Sequence, residues 1–165
     1  MSVLKSRRSL SRAEYVNTAN QIYTETLAFL SRLSARYSRL LAVDTAHLAS
    51  ELSAYTEKAN SIMPSDELRF NQRRSYLLSA RAVLVALDVN LSHVYEILMQ
   101  NPEGAFSTPK GSSVPRKEAA DRLDRMADSL GEKLDRENVM INGVLKADKR
   151  TLSKAQKNNN GCALE

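Results

Sequence analysis

The sequence predicts an all-α protein, an antiparallel up-down-up-down four-helix bundle, on three observations. Four stretches repeat apolar side chains at three-four spacing, each hiding its stripe only against the others. Aromatic residues are only 5% of the chain, with no Trp, while Ala, Leu, Ser and Arg are abundant, which suits helices and disfavours sandwiches or barrels. The length, 165 residues, suffices for one domain with a real core.

Ser11 followed by Glu14 fits a capping box, so the first helix is expected from about Arg12, carried by Tyr15, Ile22, Leu27, Leu30 and Leu33. Apolar positions continue through Leu40, Leu41, Val43, Leu48, Leu52 and Tyr55 to Ile62, with no Gly or Pro between Ser11 and Pro64. One helix over that span would be about 75 Å long, too long for a small domain, so a break is expected at Ser34 to Ser38. Pro64, Ser65 and Asp66 stop the second helix and cap a third, whose stripe is Leu77, Ala80, Leu84, Leu87, Leu91, Val94 and Leu98. Asn90 falls on the apolar side of that helix, where a buried Asn would fix packing register. Asn101-Pro102 ends it and opens a flexible linker, 101–113. Ser113 and Pro115 start a fourth helix carried by Leu123, Met126, Leu130, Leu134, Ile141 and Leu145, with Asp121–Arg125 and Glu132–Arg136 pairs on its outer face. The bundle is expected over 12–150, between a basic arm, 1–11, and a polar, basic tail, 151–165, whose closing Leu164-Glu165 resembles an expression-vector scar.

The net charge of +5 is concentrated at the ends. Residues 1–12 carry Lys5, Arg7, Arg8 and Arg12 with no acid, the body is slightly acidic, and the last twenty residues are basic again. Such arms favour polyanions through counterion release, and solubilising tails have the same composition. A single cysteine, Cys162, allows no disulfide framework or cysteine-based metal site within one chain and favours a reducing compartment. No apolar run is expected to span a membrane, and the opening lacks a signal peptide's apolar stretch, so a cytoplasmic setting is the expectation.

No catalytic set assembles from these residues. His47 and His93 fall on separate helices without a partner at metal-ligand spacing, and we expect each to be a partly buried helix residue. No glycine-rich phosphate loop, nucleophile elbow or zinc motif is present. Glu118, Asp121, Asp124 and Asp128 share a helix face, but the interleaved Arg122 and Arg125 fit a solvated, salt-bridged surface better than a cation site. No enzyme, cofactor or metal is therefore expected. The arginines carry more information. Arg32, Arg36 and Arg39 stack on one side if the chain stays helical there, while Arg69, Arg73, Arg74 and Arg81 lie along the start of the third helix. Neither group has interleaved acids, so each must be screened by solvent or by a polyanion such as an RNA or DNA backbone. With Lys5, Arg7 and Arg8 they form the expected nucleic-acid-binding set.

The stretch EKANSIMPSDELRFNQRR, Glu57 to Arg74, followed by ARAVLVALDVNLSHVYEIL, Ala80 to Leu98, resembles the central two helices of a bacterial four-helix-bundle family. That family includes the proteins encoded by 23S ribosomal RNA intervening sequences and the accessory variability determinants of diversity-generating retroelements. The shared features are the Ala59-Asn60 pair, an Arg-bearing start to the third helix and its Ala/Leu stripe; SVLKSRRSLSRAEYVNTANQIY also resembles the opening of longer members. The resemblance implies a four-helix protomer closed into a ring-like homo-oligomer, such as a pentamer, whose basic surface binds a partner reverse transcriptase and nucleic acid. The basic arm, the linker and the long final helix depart from the compact members. Two other functions fit the residues: a protein-interaction or structural bundle whose charge serves solubility, and a helical enzyme whose polar side chains converge only in space.

Overall fold

The computed structural model describes residues 13–107 and 114–161, and side chains to Ser153. Helix α1 spans Glu14–Leu30 and α2 spans Val43–Asn60, preceded by a helical turn at Ala35–Tyr37 and a π-helical turn at Ser38–Ala42. Helix α3 spans Glu67–Gln100, and α4, the longest, spans Arg116–Gly161. The described residues contain no strand, so the expected all-α class holds. Consecutive helices pack against one another, and α4 also packs against α1.

The pattern predicts the inner faces well on α3 and α4 and less well before them. All seven expected α3 residues are buried, as are Leu123, Leu130, Leu134 and Ile141 of α4, with Met126 and Leu145 half-buried. On α1, Tyr15, Ile22, Leu30 and Leu33 are buried with Phe29, but Leu27 points outward. The π turn explains a second departure. Its wider winding carries an extra residue per turn and rotates the following register, leaving Leu40 and Val43 exposed, while Leu52 reaches the core. Asn90 is half-buried at the flank of the α3 stripe and does not enter the core.

Helix ends show where local chemistry overrode periodicity. Ala13, not Ser11, is the N-cap of α1, and Ser11 lies outside the described residues. Glu14 therefore occupies the first helical position and binds Arg136 of α4, which also removes the expected Glu132–Arg136 pair. The first break falls one turn earlier than expected: the Arg32 amide donates to the Phe29 carbonyl and the Leu33 amide to that of Leu30, a tightened final turn, after which Ser34 is extended. Asp66 caps α3 as expected, its carboxylate accepting from the Arg69 amide at 2.9 Å. That bond holds its pKa below the usual carboxylate value. Of the linker, Gly104–Phe106 form a 3-10 turn; residues 108–113, including Ser113, are not described. A Cβ on Gly104 would meet the Asn101 side-chain amide at 2.6 Å, so glycine lets this turn fold tightly over the end of α3. Helix α4 continues to Gly161, beyond the boundary expected at 150.

Contacts across the bundle fix its layers. Arg73 pairs with Asp148, Arg81 with Asn142 and Tyr95 with Asp124, so positions fall along α4 as they rise along α3. Between α1 and α4, Lys133 Nζ lies 3.0 Å from Glu25 Oε1, and Ser129 donates to the other carboxylate oxygen at 3.1 Å.

Candidate anion-binding surface

The two arginine groups sit at opposite ends of α3 and have different fates. Arg73 is inside the structure, only 13% exposed, and its guanidinium joins three elements. Nε donates to Asp148 of α4 at 2.7 Å, while Nη1 donates to the carbonyls of Ala59 and Ile62 at 2.9 and 3.0 Å. Ala59 lies in the last turn of α2, its carbonyl also accepting from the Ile62 amide at 3.3 Å, and Ile62 lies two residues past the helix end, where carbonyls need donors from outside the helix. Arg73 is thus a helix-terminating clamp. Arg69 lies 3.4 Å from Asp66 and donates to Ser65, and Arg81 donates to Asn142 Oδ1 at 3.1 Å. Only Arg74 of this group is exposed with no partner among the described residues. No acid is interleaved within the group, but Arg69 and Arg73 are not left to solvent or a polyanion: carboxylates from the cap before α3 and from α4 serve them.

At the other end the helix is interrupted, so Arg32, Arg36 and Arg39 do not form one continuous stack. Arg32 sits in the turn after α1, half-buried, its guanidinium carbon 4.9 Å from the centre of the Phe106 ring. Arg122 of α4 lies over the same ring at 5.6 Å and pairs with Glu118 at 2.6 Å. The Arg32 Nε is buried without a hydrogen-bond partner. Arg36 and Arg39, carried on the helical and π turns that follow, are exposed and have no carboxylate partner among the described residues. With Ala35 and Leu40 they line a shallow open surface. The two turns leave both side chains on the outside, while the Thr45 hydroxyl donates to the Leu41 carbonyl at 2.8 Å and Thr45 is buried in the following turn. Such an array of guanidiniums suits phosphate oxygens, which it would contact without reading bases. Lys5, Arg7 and Arg8 lie outside the described residues.

His47 and His93 are exposed, not partly buried, and His47 Nε2 is 3.9 Å from Glu51. On the acidic face of α4, Arg125 donates to the Asp121 carbonyl instead of its carboxylate, and Asp124 accepts from Tyr95 at 2.6 Å, a bond that raises the phenol's pKa. Among the described residues no three metal-capable side chains gather. A groove of about 260 Å³ between α3 and α4 has an apolar floor of Phe29, Leu91, Leu130 and Leu134 and carboxylates only at its rim, Asp88 and Glu96. Among the described residues α3 alone is, by length and composition, apolar enough to cross a membrane, contrary to the expectation that no run would be; its inner face is the bundle's core.

Sequence reasoning missed two features. Phe106 had no signal beyond being an aromatic in a linker. Glu137 did, because it stands three residues after Leu134 and four before Ile141, on the inward stripe of α4, and it is fully buried. The fold and surface define an all-α bundle with a basic, interrupted helix junction. No protein-family model, curated protein or solved structure matches the chain.

Proposed function

We propose that the chain is a non-enzymatic accessory protein that binds the phosphate backbone of RNA or DNA, alone or together with a reverse transcriptase, through the α1–α2 end of an antiparallel up-down-up-down bundle. The observation that carries this reading is the exposure of Arg36 and Arg39 without carboxylate partners, beside an Arg32 held on Phe106. Uncompensated guanidiniums repel one another, and a polyanion relieves that repulsion while releasing its counterions. The resemblance to the retroelement accessory determinants supports the choice of nucleic acid, and the surface residues support its location.

Fluorescence anisotropy with a structured RNA tests the proposal. Reversing both residues, Arg36→Glu with Arg39→Glu, is expected to lower affinity by roughly tenfold or more at low salt with helical content unchanged, since both are exposed. Unchanged affinity would refute this location. A second reading, a protein-docking bundle, draws on Leu40 and Val43, which are 65% and 70% exposed beside the same arginines. Indifference of the wild-type protein to RNA at low salt would favour it.

A further inference from the structure

The outward face of α3 carries an apolar strip that no helix among the described residues covers. Leu78, Ala82, Val85 and Val89 follow one another at intervals of four, three and four, all exposed, with Val85 60% and Val89 51% accessible. That spacing is the seam of a helix that packs against another helix. Ser79 and Ala86, both small, border the strip on one edge and permit close approach of a second backbone. The opposite edge is charged in two halves. Arg74 and Arg81 line its N-terminal part and Asp88 its C-terminal part, where Glu96 closes the strip; none of the four has an ion-pair partner among the described residues.

We propose that this strip docks against the same strip of a second copy of the chain, antiparallel and about a two-fold axis between residues 83 and 84. Ala82 then faces Val85 of the second copy and Leu78 faces its Val89, burying the seam in four layers. The two-fold axis gives the charges their partners: Arg81 of each copy meets Asp88 of the other, and each Arg74 approaches the other copy's Glu96. A parallel contact would instead set basic half against basic half and acidic half against acidic half. Charge complementarity therefore selects both the occupant and its direction. Four layers make a contact at the small end of specific interfaces, so the dimer is expected in the micromolar range. The strip shares no residue with Arg36 and Arg39, and its assembly does not rest on the nucleic-acid reading.

Sedimentation equilibrium on the full chain over roughly 1 to 300 μM tests it. Wild type is expected to move reversibly toward twice the chain mass. Val85→Glu with Val89→Glu is expected to remain monomeric with unchanged helical content, because both side chains are already exposed. Arg81→Asp or Asp88→Arg alone should weaken association by roughly tenfold, and the two together should restore it, since the reciprocal pairs reform with opposite polarity. A wild-type monomer throughout, or a larger ring indifferent to the Val85 and Val89 changes, would overturn the proposal. So would single and double charge reversals of equal effect, or a monomer whose strip binds phosphatidylcholine vesicles.

Discussion

Glu137 stands between Leu134 and Ile141 with neither carboxylate oxygen hydrogen-bonded, and burial pushes its pKa up to about 8. In the unfolded chain the same group titrates near about 4.3. Between those two values the unfolded state has lost a proton that the folded state keeps, so stability falls as pH rises from about 4.3 toward 8 and then levels. Replacing the carboxyl by a neutral amide, Glu137→Gln, is expected to remove that slope and to stabilise the protein at pH 8 by up to about 5 kcal/mol, with little effect near pH 4. Urea unfolding at the two pH values checks this; parallel pH profiles for the two proteins would contradict it. Arg73 behaves oppositely. Arg73→Met should cost roughly 3 kcal/mol, because Asp148 and the Ile62 carbonyl lose their donor and the Ala59 carbonyl keeps only the Ile62 amide, whereas Arg74→Met should cost almost nothing. At this scale the sequence was partly legible: an acid on an apolar stripe is visible in the spacing around Glu137, but the partner of Arg73 is 75 residues away and only the fold brings it near.

Elements were readable where one local signal dominated. The third helix has a capping Asp66, an unbroken stripe and Asn101-Pro102 beyond its end, and the structure follows all three. Asp66→Ala is expected to lower the melting temperature by a few degrees near neutral pH. Because the cap holds the carboxyl's pKa low, its contribution is present above the unfolded pKa and is lost as pH falls through the folded one, so the variant and wild type should converge in acid. Thermal melts at pH 7 and pH 2 measure this; an undiminished difference in acid would contradict it. Between α1 and α2 no Gly or Pro marks the break. It is set by Phe29, Leu30 and Leu33 turning inward together, a tertiary cause that periodicity alone does not register. The π turn is equally silent in sequence, and it is what moved Leu40 and Val43 from the expected core to the surface.

At the scale of the whole molecule, all-α class and the participation of four long helices were legible because each amphipathic stripe has only the others to pack against. The surface was not. Acids and bases that neutralise one another across the bundle, Asp148 with Arg73 and Glu14 with Arg136, are distant in sequence, so charge runs overstated the basic surface on α3. Arg36 and Arg39 at the junction have no carboxylate partner among the described residues, and on α3 the same holds for Arg74 and Arg81. The dependence of RNA affinity on salt compares these positions most directly. Each phosphate contact on single-stranded nucleic acid contributes about 0.7 to the slope of log affinity against log salt, and about 0.9 on a duplex. Neutralising Arg36 and Arg39, each to Gln, is expected to flatten the slope by about 1.4 to 1.8, while Arg69→Gln with Arg73→Gln leaves it unchanged in whatever fraction stays folded. An unaltered slope in the first variant, or an equal loss in the second, would contradict the account.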